Sequence, residues 1–468
     1  MAVILAIAVS FALLLIGVSQ GVYMAYPLLG ALGAFALAAR QRGVTWPRLL
    51  QLGLTGIRQS LSVVMILLLI GVLVALWMAS GTVPALVYWG LDIIQPRTFL
   101  LWAFILPGVV SVLIGTSFGS ASTIGLALMT MATGSAIDPH LVAGAIISGV
   151  YIGDRCSPVS SSANLVATIT GTSLHHNLRA MARTALLPIA LSALLYGLLS
   201  LVTPTLTIDR QMQAAIAQTF TLHWSVILPT VVVLGLSALR VPVLYTLALS
   251  IGMAGAIAMV VQGRPPLDLL EFALTGFRLS PGEPLAGVFG GGGLVAMARV
   301  CGVVLASTAL AGIVAGTGLL GSLDKRLGHS EQGDRDASAA GHERRFVATG
   351  LVGIVTAMFG CTQTIAILLT QQLVQPQYHR HHGFQDGSEQ GEDSGRKADK
   401  VPSSPALALD LENTVVVLSP LVPWNIAGLV PATVLMTDAG FIPFAVYLYL
   451  QPLVVLAQLR ARRFSRAA

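Results

Sequence analysis

Long apolar runs separated by short polar breaks follow one another along the whole chain. The clearest runs read "AVILAIAVSFALLLIGVS", "LSVVMILLLIGVLVALWMA" and "VPVLYTLALSIGMAGAIAMVV". Each is close to the ~20 apolar residues that an α-helix needs to cross a bilayer. The pattern predicts an all-α polytopic membrane protein, and the number of such runs indicates roughly 10–12 transmembrane helices.

Composition and charge narrow the class of protein further. The 468 residues are 55% hydrophobic and 10% charged, whereas soluble domains have about 25% charged residues. The basic residues flank predicted spans and no soluble domain carries them, so we expect no nucleic-acid partner. Cys156, Cys301 and Cys361 lie far apart in apolar sequence, where we interpret them as small buried residues.

The arginines predict the orientation of the chain. One cluster, at residues 40–48, follows the second predicted span, and another, at residues 460–466, closes the chain. Arginine near span ends stays on the cytoplasmic side. We therefore expect a multi-pass protein of the cell inner (cytoplasmic) membrane, with both termini in the cytoplasm and an even number of spans.

Three short matches recur in the same order in the two halves of the chain. "LLQLGLTGIRQS" at Leu49–Ser60 resembles "LLEFALTGFRLS" at Leu269–Ser280, "FGSASTI" from Phe118 resembles "FGCTQTI" from Phe359, and Ser157-Pro158 matches Ser419-Pro420. We expect the first pair to be interfacial or short linking helices. The matches predict two repeats, residues 1–210 and 211–468, which we expect to be inverted, with discontinuous helices at their interface.

Two polar insertions in the second half have the composition of soluble loops. They lie near residues 324–345 and 377–404, and the second contains His379, His381 and His382. We favour a solvated loop for these histidines over a metal or pH-sensing site. The glycine run "FGGGG", from Phe289 to Gly293, lacks the Lys-Ser/Thr of a phosphate loop and predicts a tight helix crossing or a hinge.

Four polar segments interrupt the apolar pattern: "GTSFGSASTIG" from Gly115, "GDRCSPVSSSAN" from Gly153, "FGCTQTI" from Phe359 and "DLENTVVVLSPLVPWN" from Asp410. Glycine and proline at membrane depth unwind helices, and the freed backbone must be buried or line a wet cavity. Hydroxyl, amide and carbonyl oxygens there supply ligands for a small hard cation. The candidates in these segments are Thr116, Ser117, Ser120, Thr123, Ser161, Thr362, Gln363, Thr364, Asn413 and Thr414. The alternative, that small residues only let helices pack closely, does not explain the acids.

Asp154 and Glu412 are acids inside these interruptions. An ionisable group at the centre of a span costs about 2.5–3.5 kcal/mol on insertion scales. Such a carboxylate would bind either a proton or a metal cation, and that competition is itself a coupling mechanism. For Asp154 there is an alternative, in which it caps a helix end near Ser157 or pairs with Arg155.

The motifs resemble those of the NhaC family of sodium/proton antiporters, in the ion transporter superfamily. The resemblance extends from about Leu49 to Asn425 and rests on "WMASGTVP", "GTSFGSASTIGLALM", "GDRCSPVSSSANL", "GGGLVAM" and "LENTVVVLSPLVPWN". It implies that the transport site is surrounded by Asp154, Ser157, Ser160, Asn164, Glu412 and Asn425. Two positions depart from the family pattern: Ser161 stands where an acid is expected, and "LALD" before Glu412 lacks the expected arginine.

We predict a secondary transporter that exchanges Na⁺ (or Li⁺) for H⁺ by alternating access. Asp154 and Glu412 would titrate and bind the transported Na⁺. The alternative is a Na⁺- or H⁺-coupled carrier of a small organic acid, such as malate or lactate, or of an amino acid. Arg155 or half-helix N-termini would then hold the substrate carboxylate.

We expect no enzymatic activity and no cofactor. A serine hydrolase would need a base beside its serine, and the nearest histidines, His175 and His176, follow a predicted span end. The expected partners are the transported Na⁺ and H⁺ and the lipid bilayer, and association into a homodimer is left open.

Overall fold

The computed structural model is helical almost throughout. It describes residues 2–93, 96–133, 137–202, 210–239, 241–280, 285, 289–318, 339–379 and 403–467. Within these ranges the single sheet is one antiparallel pair of two-residue strands, β1 (Phe277–Arg278) and β2 (Gly290–Gly291).

The first part of the chain forms ten α-helices. They are α1 (Ala2–Ser19), α2 (Ala25–Gln41), α3 (Trp46–Ala79), α4 (Thr82–Ile93), α5 (Phe99–Ile114), α6 (Ser117–Ser120), α7 (Leu126–Thr133), α8 (Pro139–Cys156), α9 (Ser161–Ile169) and α10 (Leu174–Val202). A π-helical turn, Ala121–Gly125, joins α6 to α7, and a 3₁₀ turn, Pro96–Thr98, precedes α5.

The second part continues with eleven described α-helices. They are α11 (Arg210–Thr219), α12 (Leu228–Ala238), α13 (Val243–Val260), α14 (Pro266–Thr275), α15 (Leu294–Thr317), α16 (Ala339–Gly360), α17 (Gln363–His379), α18 (Pro405–Asn413), α19 (Val415–Leu418), α20 (Ile426–Val434) and α21 (Val446–Ala467). 3₁₀ turns cover Trp224–Ile227, Ser419–Leu421 and Ala439–Phe444.

Several of these helices are long and apolar enough to cross a membrane. In the described ranges these are α1, α3, α10, α13 and α15, and two bent helix pairs bring the number to as many as 7. Large apolar side chains on them face outward, such as Leu5 on α1 and Leu186 on α10. The chain is therefore an all-α polytopic membrane protein, while the count of 10–12 spans stays a prediction.

The interior contains two large apolar clusters, and each draws residues from both ends of the sequence. One contains Trp77 and Phe104 together with Leu448, and the other contains Leu14 and Phe35 together with Trp424. The two predicted halves are thus interwoven. The repeat relation and its inversion stay predictions.

Two local expectations were wrong. Leu49–Ser60 is not a separate interfacial helix, because it forms the first turns of the 34-residue α3. The glycine run is not a helix crossing: Gly290 and Gly291 form β2, which pairs with β1, and Gly293 N donates to Gly71 O of α3 at 2.7 Å. The hinge stays a prediction. Gly291, Gly292 and Gly293 have positive φ, a backbone conformation that residues other than glycine rarely adopt.

The predicted soluble loops lie mostly outside the described residues, and so do His381 and His382. At the edges of these loops, residues 339–345 are helical and begin α16, and residues 377–379 end α17. The first predicted loop therefore extends too far towards the C-terminus.

Candidate functional site

All four predicted interruptions break helices in the structure. In the first, α5 ends at Ile114 and is followed by Gly115 with φ +81°, and Thr116 caps the short α6 by accepting from Gly119 N at 3.1 Å. In the second, α8 ends at Cys156, and Ser160 caps α9 by accepting from Ala163 N at 3.3 Å. Polar side chains thus replace the missing intrahelical hydrogen bonds at these ends.

The two later breaks behave in the same way. Between α16 and α17 the chain turns at Cys361, whose φ is +53°. In the fourth segment Thr414 separates α18 from α19, and Asn425 caps α20 by accepting from Ala427 N at 3.0 Å. The third and fourth breaks are joined directly, since Ile426 N donates to Cys361 O at 2.9 Å.

Glycines allow α8 to approach its neighbour closely and so place the second break. A Cβ added at Gly149 would lie 2.2 Å from Phe104 O of α5, and one at Gly153 would lie 2.1 Å from the Ser111 carbonyl carbon. Tyr151 then donates to Ala427 O at 2.6 Å, which ties α8 to the start of α20. The last turn of α8, which carries Asp154, is therefore held against both the first and the fourth breaks.

All four breaks contribute to one cavity of about 480 Å³. Its lining includes Thr116, Ser117, Asp154, Ser161, Thr362, Gln363, Thr364 and, from the fourth break, Ile426 and Ala427. Among the described residues, Asp154 is the one charged side chain in this lining. It is only 5% exposed, whereas Ser161 and Thr364 are exposed at the cavity rim.

The carboxylate of Asp154 is held by donors from two other breaks. Gln363 Nε2 donates to Asp154 Oδ2 at 3.1 Å and to Val416 O at 3.0 Å. Ser117 contributes contacts through its backbone N–H and its hydroxyl. Asp154 therefore neither caps α8 at Ser157 nor pairs with Arg155, which were the alternatives left open by the sequence.

The cavity also has a wall that the sequence reasoning missed. It consists of Gln59 and Ser60 on α3 and Thr308 on α15, and Ser60 Oγ lies 3.0 Å from Thr308 Oγ1. The two helices meet closely, because a Cβ on Gly56 would lie 2.0 Å from Thr308 O. The repeat motif "LLQLGLTGIRQS" contained this signal, but reading it as an interfacial helix placed it outside the site.

Other predicted side chains are not in the cavity lining and mainly hydrogen-bond to the backbone. Hydroxyls donate to preceding carbonyls from Ser120 (to Thr116 O, 3.0 Å), Thr123 (to Gly119 O, 2.8 Å) and Thr414 (to Asp410 O, 2.6 Å). Amides donate from Asn164 (to Ser160 O, 2.7 Å) and Asn425 (to Ala357 O, 2.9 Å). Ser157 accepts from Val159 N at 3.3 Å, and Ser160 donates to Asp154 O. These contacts stabilise the breaks themselves.

Arg155, Glu412 and Asn413 lie outside the cavity lining. Arg155 is fully buried and donates to Met181 O at 3.3 Å, to Thr184 Oγ1 at 2.6 Å and to Asn413 Oδ1. Glu412 is 1% exposed, and neither of its carboxyl oxygens has a hydrogen-bond partner.

This arrangement defines a class of protein: a polytopic helical membrane protein with broken helices around a buried, ionisable cavity, as in secondary transporters. A model of the Na⁺/H⁺ antiporter family matches residues 1–201 and 149–459. The chain belongs to this family, whose members are transporters and not enzymes, and Na⁺/H⁺ exchange is its family-level activity.

Relatives with different substrates are similar to the chain over most of its length. The Na⁺/H⁺ antiporter NhaC of Alkalihalophilus pseudofirmus is 28% identical, over 96% of this chain and 94% of the relative. The malate-2H⁺/Na⁺-lactate antiporter of Bacillus subtilis is 29% identical, over 70% and 69%. The arginine/ornithine antiporter ArcD of Halobacterium salinarum is 27% identical, over 92% and 85%.

Proposed function

We propose that the chain exchanges Na⁺ (or Li⁺) for H⁺ across the cytoplasmic membrane by alternating access, with Asp154 as the group that the two ions share. The observation that carries this proposal is the carboxylate of Asp154, the one acid among the described lining residues, surrounded by hydroxyl and amide groups. A proton and a sodium ion both neutralise a carboxylate, so each excludes the other from it. Release of one ion on one side of the membrane then prepares the site for the other.

The oxygen ligands for Na⁺ would come from several breaks. Hydroxyls of Thr116, Ser117, Ser161, Thr362 and Thr364 line the same cavity as Asp154. Neutral hydroxyl oxygens and one carboxylate suit a hard monovalent cation. The Na⁺ contact predicted for Glu412 has no support from the cavity lining, and the proposal does not include it.

The driving force follows from the ion gradients. A tenfold Na⁺ gradient corresponds to about 1.4 kcal/mol, the same as one unit of pH. If net charge moves, a potential of 100 mV adds about 2.3 kcal/mol per charge. We place the protein in the cytoplasmic membrane with both termini inside; a homodimer stays a prediction.

The proposal is tested with the purified full-length protein in proteoliposomes that carry a pH gradient and a pH-sensitive dye. Added Na⁺ or Li⁺ should collapse the gradient without any organic substrate, and Asp154→Asn should abolish the response. The control is Asp268→Asn, because Asp268 lies on α14 outside the cavity lining. A gradient that responds only to an organic substrate would contradict the proposal.

A second candidate is exchange of an amino acid, and the size of the cavity favours it. A volume of about 480 Å³ falls within the range of pockets that hold small organic molecules. A substrate ammonium group would face Asp154. A dicarboxylate fits less well, because the described lining residues include no cationic side chain and Arg155 donates to Thr184 and Asn413 outside the lining. Arginine, ornithine, malate and lactate, added singly to the same liposomes, separate these substrates.

A further inference from the structure

The carboxyl group of Glu412, in the fourth break, has no hydrogen-bond partner among the described residues. It is 1% exposed, and both of its oxygens lack a hydrogen-bond partner. An ionised carboxylate buried without donors is strongly unfavourable, and buried polar groups are nearly always hydrogen-bonded. This environment therefore suits the neutral acid, which has no net charge to stabilise.

Asp410, two residues earlier on α18, shows that the fold can provide hydrogen-bond partners for a buried carboxylate on this helix. Asp410 is 2% exposed, and its Oδ2 accepts from Tyr378 Oη at 2.8 Å and lies 3.0 Å from His342 Nε2. The two acids point to different faces of α18, and the donors are on the Asp410 face. The isolation of Glu412 is thus specific to its position.

Arg155, near Glu412, is a buried cation whose hydrogen-bond partners are neutral groups. Its guanidinium is always charged, yet its hydrogen bonds go to a carbonyl, a hydroxyl, an amide oxygen and, at 3.8 Å, the Cys156 sulfur, and its Nε has no partner among the described residues. Arg155 interacts electrostatically with Glu412, but the ion pairs of the described residues do not include this pair. A buried cation and a buried acid thus lie near each other without a direct contact.

The polar groups around Arg155 and Glu412 have unused donors and acceptors, which allow a second set of hydrogen bonds. Asn413 Oδ1 accepts from Arg155, Thr184 and Gln451, while Asn413 Nδ2 and Gln451 Oε1 have no partner. Thr414, which follows, has φ −123° and ψ −74° and interrupts the helix between α18 and α19. A change of backbone angles at this break would move Glu412 and Asn413 together relative to Arg155.

We propose that Glu412 carries a proton and never Na⁺, and that Arg155 is its internal counter-cation. Glu412 is protonated while it is separated from Arg155, and it releases the proton when the two pair directly. Arg155 is thus a positioning residue, and its positive charge stabilises ionised Glu412 inside the membrane. This inference rests on the proposed function and extends it: each cycle moves one proton through Asp154 and a further proton through Glu412, so that exchange is electrogenic.

The other titratable groups that face Glu412 and Arg155 are Asp154 and Cys156 on α8 and Tyr447 on α21. Asp154 belongs to the cavity site, so Glu412 and Asp154 influence each other electrostatically while serving different ions. The experiment must therefore separate the two acids.

Na⁺/H⁺ exchange is measured in proteoliposomes with the membrane potential clamped by K⁺ and valinomycin. If one net charge moves per cycle, 100 mV shifts the Na⁺ ratio at zero net flux about 50-fold. We expect this shift in the wild type and in Arg155→Lys, which keeps the charge. We expect Glu412→Gln and Arg155→Gln to exchange Na⁺ for H⁺ without this shift of the Na⁺ ratio. The double variant should behave like the single variants. A shift that persists in Glu412→Gln would overturn the proposal.

A second measurement does not depend on transport and keeps the proposal testable if the proposed function fails. The infrared difference spectrum between the wild type and Glu412→Gln should show a protonated carboxyl band that the variant lacks. Addition of Na⁺ to the wild type should leave this band unchanged. In contrast, Na⁺ should alter the Asp154 signal, which is identified with Asp154→Asn. Loss of the Glu412 band on addition of Na⁺ would show that Glu412 binds the cation and would overturn the inference. A wild type without Na⁺-dependent proton movement would instead count against the proposed function.

Discussion

Asp154 and Glu412 are buried acids in the last turns of two broken helices, α8 and α18, yet their surroundings are opposite. Asp154 lines a cavity and accepts hydrogen bonds from side chains of other breaks. Glu412 is outside that lining, has no donors and lies near a buried arginine. Burial alone therefore does not define the role of an intramembrane acid. Its access to a cavity and the donors around it do.

The largest effect should separate these two acids directly. Removal of the charge at Asp154 leaves a cation without its counter-charge, and breaking a buried charge pair costs about 3–5 kcal/mol. We expect Asp154→Asn to lower Na⁺-dependent exchange at least ~100-fold, and Glu412→Gln to lower it less than ~10-fold. Initial rates over a series of Na⁺ concentrations measure both. Equal losses in the two variants would remove the distinction.

A smaller loss is expected from Gln363→Leu. Gln363 Nε2 bridges Asp154 Oδ2 and Val416 O, and a hydrogen bond to a charged group contributes about 1.5–3 kcal/mol. The exchange rate should fall about tenfold or more. The matched control is Gln371→Leu on the same helix, because Gln371 bonds to Gln375 outside the cavity lining. Similar losses in the two variants would assign the effect to the helix and not to Asp154.

The wall formed by α3 and α15 lines the cavity that contains Asp154, whereas Glu412 is outside that lining. A Cβ on Gly56 would lie 2.0 Å from Thr308 O, so Gly56→Ala must push these helices apart. Overpacking of this kind costs about 1–3 kcal/mol, measured as a lower thermal unfolding temperature in detergent. Gly197→Ala on α10 is the control, since a Cβ there meets nothing within 4 Å. The infrared band of Glu412 should be unchanged in Gly56→Ala.

The smallest effect is expected from Ser60→Ala. This change removes the contact of 3.0 Å between Ser60 Oγ and Thr308 Oγ1, and one neutral hydrogen bond contributes about 0.5–1.5 kcal/mol. We expect the Na⁺ concentration at half-maximal rate to rise two- to tenfold. Ser10→Ala is the control, because the buried Ser10 hydroxyl on α1 has no hydrogen-bond partner. A larger effect from Ser10 would contradict a specific role for the wall.

Much of the lining of the candidate cavity could be predicted from the sequence. The four interruptions were predicted from glycine, proline and hydroxyl residues, and each breaks a helix. Thr116, Ser117, Asp154, Ser161, Thr362, Gln363 and Thr364 were predicted ligands and share one cavity. Gln59, Ser60 and Thr308 were missed, because they lie within unbroken helices, where a polar residue gives no local signal of what it faces.

The sequence by itself determined the membrane class, the positions of the helix breaks and the presence of two acids among them. These are local properties, since hydropathy, glycine and proline act on the residues immediately around them. Only the tertiary structure decided that Asp154 lines the cavity while Glu412 and Arg155 lie outside its lining. That outcome depends on how α8 and α18 are rotated against α3, α15 and α17, and packing between distant segments sets those rotations.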